Sequence, residues 1–209
     1  TVAALPPVSQ ASAADLQKAI AAAAAGLDVV PGVFQNNAKQ NITLAVVGDQ
    51  CLEVEAAKAF YALSAAAAKD GIKITVSSGF RPPFQAIQTK SAKGKTLNFT
   101  SQLSLRTADR WRGKGPFNDD AKYNAGASQF YPATAAPGKS QHGNGVAVDI
   151  NTGGFPTKNP SAAVLTDVFS WMAINGWRFG FVRAVSTEAW HWEYHPQANS
   201  PYYIFGGQP

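Results

Sequence analysis

Ser140-Gln141-His142-Gly143-Asn144-Gly145-Val146-Ala147-Val148-Asp149 is the stretch on which the reading of this chain turns. A histidine in a glycine-flanked turn runs straight into an alternating segment, Val146 to Ile150, that has the make-up of a strand and carries an aspartate. The chain bends between His142 and Asp149, so both side chains can reach one point. Further along stands Glu188-Ala189-Trp190-His191-Trp192-Glu193-Tyr194. If Ala189 to His195 is a strand, His191, Glu193 and His195 share one face, and Trp190, Trp192 and Tyr194 the other. Glu188 falls just before it, where the backbone need not alternate.

Outward from these two segments, the N-terminal residues 1–11 are rich in proline, serine and alanine and read as an extended leader. Ser12 caps a helix through Leu16 and Ile20 to Ala25, stopped by Gly26. An Asn- and Gln-rich loop precedes an apolar run at Ile42–Val47. Val54 to Lys69 is a helix ended by Asp70-Gly71, and Ile72 to Val76 reads as a strand. Pro82-Pro83 starts a helix through Gln85 and Ile87. Residues 93–139 form a long, basic, glycine-punctuated insertion with a helix at Leu103 to Arg112. Pro160 opens a helix through Phe169 and Met172 to Gly176, and Arg178 to Arg183 reads as a strand. The expected class is α+β. The expected organisation is an N-terminal leader and helical extension over 1–45, then one domain over 46–209.

Composition sets limits on function. The 209 residues are 45% hydrophobic, ordinary for a globular protein. The longest alanine tract, Ala19 to Ala25, is too short to span a membrane. No signal segment is visible, and a chain that starts at Thr1 reads as processed or excised. The single cysteine, Cys51, excludes an internal disulfide and reads as a buried small hydrophobe. The net charge of +5 is concentrated between Lys73 and Lys114 and favours polyanions. Only Phe99 and Trp111 interleave with that charge, too few aromatics for a nucleic-acid groove, so no nucleic-acid partner is expected.

With three histidines and one cysteine, any metal site must recruit carboxylates. Catalytic zinc commonly takes three ligands from His, Asp and Glu and keeps a position for water, and a nearby carboxylate removes the water's proton. Two histidines, one aspartate and one further glutamate supply that set. His195 competes with the others for a place in it.

These segments resemble the zinc D-alanyl-D-alanine carboxypeptidases, a group that includes the D,D-dipeptidases of vancomycin resistance, phage L-alanyl-D-glutamate endolysins, lysostaphin-type enzymes and the Hedgehog fold. The family pattern Ser-x-His-x-x-Gly-x-Ala-x-Asp stands at Ser140–Asp149, and Glu-x-Trp-His at Glu188–His191. Its Ser-Gly-Tyr-Arg appears as Ser78-Gly79-Phe80-Arg81. The resemblance covers about residues 55 to 195. It implies a small antiparallel sheet that bears a zinc site and is flanked by helices. It implies one Zn2+ on His142, Asp149 and His191, with Glu188 as general base and then acid. Arg81 would stabilise the developing oxyanion or hold a substrate carboxylate, and Ser140 would bond substrate or a ligand. Glu193 and Tyr194 would orient ligands.

Two departures stand out: Phe80 replaces the usual tyrosine, and Pro82-Pro83 follows Arg81. Glu-x-Trp-His leans toward cleavage of peptidoglycan stem peptides at D-Ala or another D-centre. The endolysin bond, L-Ala-D-Glu, and a non-catalytic zinc-stabilised wall-binding module are the alternatives. The implied place of action is the cell wall, from a periplasmic, extracellular or phage-borne protein. The basic insertion is expected to meet anionic wall polymer.

Overall fold

The computed structural model describes residues 11–112, 134–152, 166–185 and 188–200. Helix α1 (Ala13–Ala23) opens on a capping box, in which the Ser12 hydroxyl accepts from Asp15 N–H and the Asp15 carboxylate accepts from Ser12. Strands β1 (Val29–Gln35), β2 (Asn41–Val47) and β3 (Gln50–Glu53) form an antiparallel sheet in that order. Helix α2 (Val54–Lys69) follows without a break, its first N–H groups taken by the Glu53 carboxylate. Its buried face is mostly alanine, with Phe60 and Leu63 between, so it lies close against its neighbours.

The second sheet is built from β4 (Val76–Ser78), β7 (Ala147–Ile150), β8 (Phe181–Val182) and β9 (His191–Tyr194), ordered β4-β7-β9-β8 with every pair antiparallel. A small hairpin, β5 (Ile87–Lys90) with β6 (Thr96–Phe99), precedes α3 (Gln102–Arg112). Helix α4 (Asp167–Asn175) is capped by Thr166, whose hydroxyl accepts from Phe169 N–H and donates to Thr152 O. One hydrophobic cluster joins α1, α2 and α4 to the second sheet and contains Leu63, Met172, Phe181 and Trp192. Another lies between the first sheet and the β5–β6 hairpin, with Phe34, Phe80 and Phe99 at its centre.

Several expectations need correction. The Asn- and Gln-rich stretch is not all loop: β1 occupies its start, at the edge of its sheet, where Pro31 removes no interior ladder bond. A register shift between Val30 and Phe34 accompanies Gly32 at φ 113° and erases the alternation that marks a strand. The strand read at Ile72–Val76 is β4 at Val76–Ser78, and the Asn151 side chain instead ties the extended backbone before it, at Thr75 N–H and Lys73 O.

Pro82-Pro83 opens no helix through Gln85 and Ile87. Their carbonyls accept from Gln102 and Leu103 N–H at the start of α3, and Ile87 begins β5. Arg178 lies in a 3-10 turn, Gly176–Phe179, and only Phe181–Val182 is strand. The opening of the helix at Pro160 lies outside the described residues; from Asp167 onward it is α4. Cys51 is fully buried on β3, and burial pushes its thiol up to about 12.

Candidate metal centre

Strand register assembles the site. Asp149 on β7 is the direct cross-strand partner of His191 on β9 and of Ser78 on β4. His142 arrives from the one-turn 3-10 helix Gln141–Asn144 that leads into β7. The Ser140 hydroxyl accepts His142 N–H at 3.3 Å and starts the turn. Gly145, at φ 72°, ends it in the left-handed region that favours glycine. Gly145 O then accepts Glu53 N–H from the first sheet at 2.8 Å.

The three side chains converge on one carboxylate oxygen. Asp149 Oδ1 lies 3.2 Å from His142 Nε2 and 3.0 Å from His191 Nδ1. One donor atom from each residue lies within 4.8 Å of the other two. The remaining ring nitrogens are committed elsewhere. His142 Nδ1 is 2.7 Å from Gly79 O, which can only accept, so the proton sits on Nδ1 and Nε2 is left to face the site. His191 Nε2 donates to Glu193 Oε1 at 3.1 Å, and Glu193 Oε2 is 3.0 Å from His195 Nε2. Imidazoles oriented by a carbonyl and a carboxylate are the support that metal-binding histidines require. Two imidazole nitrogens and a carboxylate oxygen on a buried wall fit a zinc ion.

Electrostatics separate the groups. Burial lowers the His142 pKa against the pull of Asp149. Burial pushes the Asp149 carboxyl up, but His142 and His191 outweigh it and hold it well below the usual carboxylate range. Burial pulls His191 down, yet its hydrogen bonds to Asp149 and Glu193 carry it up to about 9. Burial also raises Glu193, and bonds from His191 and His195 bring it to about 2. Glu188 is raised, first by burial and then by the charges of Asp149 and Glu193, against His191 and Arg81.

The residues expected from sequence come together. Glu188 Oε2 lies 4.0 Å from His191 Nδ1, on a turn in which His191 N–H donates to Glu188 O. Arg81 follows β4, donates its backbone N–H to His142 O, and places a positive charge felt at both His142 and Glu188. His195 does not join the ligand atoms; it reaches His191 through Glu193, on the face that strand alternation predicts. Tyr194 packs on Phe181, and its N–H donates to Val146 O. Gln88 pairs with Asn98 across the hairpin.

Sequence reasoning missed two contributors. The Gly79 carbonyl carries no side-chain signal at all. Asn37, between β1 and β2, bonds the His142 turn from more than a hundred residues away in sequence.

Residues 49–197 match the VanY family model, described as D-alanyl-D-alanine carboxypeptidase. The chain belongs to this family. A D-alanyl-D-alanine carboxypeptidase of Enterococcus faecalis (strain ATCC 700802 / V583) is 29% identical over 142 residues, which are 62% of this chain and 42% of the relative. The chain therefore spans about two-fifths of the length of the curated relative it matches. Among solved structures, VanYB in complex with D-alanine-D-alanine is similar at 25% identity and a TM-score of 0.54, over 76% of this chain and 80% of that one. A zinc(II) complex of a variant of the vancomycin-resistance D,D-pentapeptidase VanY, from a VanB-type resistance cassette, shares the fold. Its TM-score is 0.53 and its identity 24%, over 80% of this chain and 85% of that one. The mixed fold with small antiparallel sheets is that of these structures.

Proposed function

We propose that this chain is a zinc peptidase that cleaves the peptidoglycan stem peptide at a D-amino-acid centre, of the D-Ala-D-Ala carboxypeptidase or endopeptidase type. The observation that carries the reading is the convergence of His142, Asp149 and His191, with the Glu188 carboxylate beside that cluster, in a chain of the VanY family. Bound at those three residues, zinc supplies a Lewis acid that makes water nucleophilic near neutral pH. Glu188 takes the proton from the attacking water as its oxygen bonds the scissile carbonyl carbon. When the C–N bond breaks, Glu188 returns that proton to the leaving amine, so one water is consumed per bond cut. Burial suits Glu188 to this exchange, because it raises the proton affinity of the carboxylate. Arg81 pairs with the substrate carboxylate or the developing oxyanion. The Ser140 hydroxyl accepts His142 N–H and keeps its own proton to donate to substrate.

The substrate places the enzyme's work in the cell wall, and no helix among the described residues is long and apolar enough to cross a membrane. Docking on anionic wall polymer would fall to the basic insertion over 93–139, of which residues 113–133 lie outside the described residues. Lys93 Nζ donates to Gly26 O, and Lys95 Nζ to Gly48 O and Asp49, so both tie the hairpin to the first sheet. Lys73 and Lys90, before the insertion, are exposed. Removing the charges of the insertion should reduce co-sedimentation with intact wall sacculi, and unchanged sedimentation counts against docking by this route.

Digestion of purified peptidoglycan by wild type and Glu188→Ala, read by mass spectrometry, tests the reaction. We expect terminal D-Ala or a D-Ala cross-link to be cut by wild type and the rate to fall by about 10²–10⁴ in the variant. Cleavage at L-Ala-D-Glu would keep the mechanism and overturn the bond. No cleavage by zinc-loaded wild type would favour a wall-binding module.

A further inference from the structure

We propose that Asn37, in the turn between β1 and β2, is a positioning residue for the metal site, holding the one-turn helix that carries His142 from both of its ends. Its side-chain Nδ2 donates to Ser140 O at 2.7 Å, just before that helix. Its backbone N–H donates to Asn144 Oδ1 at 3.2 Å, at the helix end, and Asn144 Nδ2 donates in turn to Gln141 Oε1 at 2.7 Å. Between these two bonds the Asn37 amide reaches Gly143 with its Oδ1 foremost, where a Cβ would collide with it. A side chain at Gly143 would therefore have to displace the Asn37 amide.

The orientation of the amide is dictated by chemistry. Ser140 O can only accept, so Nδ2 must face it, and the buried Oδ1 is turned toward Gly143. The hairpin is preformed for the task. Asn36 Oδ1 accepts from Ala38 and Gln40 N–H, Asn36 N–H donates to Gln40 O, and Lys39 adopts a left-handed φ of 59°. Asn37 thus sits on a stiff turn whose bonds do not pass through its own side chain. It also lies before residues 49–197, the part that matches the family model.

The inference rests on the zinc reading given above. Wild type, Asn37→Asp, Gly143→Ala and the double variant are compared by zinc Kd against a chromophoric chelator and by the visible spectrum of the cobalt(II)-loaded protein. Asn37→Asp keeps the shape and puts an oxygen against Ser140 O. We expect zinc binding to weaken about tenfold, as for other groups that orient ligands, and the cobalt bands to shift. Gly143→Ala reaches the same contact from the other side and should move both readouts alike, with the double variant no worse than either single one. Wild-type affinity and spectrum in Asn37→Asp, or fully additive losses in the double variant, would overturn the positioning role. If wild type itself takes up neither zinc nor cobalt, the metal reading fails first, and that result is distinct from the other two.

Discussion

Phe80 shows how one residue can differ from its family pattern for a local reason. Its ring is fully buried, edge-on to Phe34 at 6.1 Å and to Phe99 at 5.5 Å between centroids. Its N–H is spent on Cys51 O, and Gly79 before it has no room for a side chain against that same carbonyl. Phe34 belongs to β1 and Phe99 to β6, so the pocket is walled by elements that the motif itself does not contain. Restoring the usual tyrosine should bury a hydroxyl among rings. We expect Phe80→Tyr to lose about 1–3 kcal/mol in urea unfolding, with zinc affinity kept; a neutral substitution would mean that the ring cluster has room for water. The candidate cluster of His142, Asp149 and His191, by contrast, could be proposed from sequence through the family resemblance. Scarce histidines standing beside carboxylates in turn-to-strand segments left few other ways to build a metal site. Asn37 was not legible, because an asparagine in a polar turn looks like every other turn asparagine until its partner, distant in sequence, is known.

Elements were legible in proportion to their periodicity. Helices α1 and α2 carry caps and long repeats, and β7 and β9 alternate, so sequence found them. β1 is broken by Pro31-Gly32, β3 runs straight into α2 with no residue between them, and β5 follows two prolines whose carbonyls serve a different helix. Strand β9 has a consequence for pH. His191 is raised from 6.5 to about 9 because Asp149 and Glu193 hold its proton, against the opposing effect of burial. A raised folded-state pKa contributes stability that is complete below the unfolded value and lost as pH rises through the folded one. The chelator-treated protein should therefore lose thermal stability between about pH 6.5 and 9. For a chain of this size each 1 kcal/mol lost lowers the midpoint by roughly 2–4 °C. Zinc-loaded protein should lack that slope, since a ligating His191 carries no proton on Nδ1 to lose. A flat profile after chelation would show that the His191–Glu193 bond is not retained in solution.

At the scale of the molecule, the site stands where two sheets meet. The second sheet supplies Asp149 and His191, while the first holds the approach to it: Cys51 O takes Phe80 N–H, Glu53 N–H reaches Gly145 O, and Asn37 spans the His142 turn. On the proposed reading, motif residues would decide which ion is gripped and which proton moves, and the first sheet how tightly their turn is drawn. That division has a consequence for descent within the family. Drift in a hairpin that no signature includes could retune metal retention while every hallmark residue stays in place, so two relatives with identical motifs need not be equally thrifty with scarce zinc.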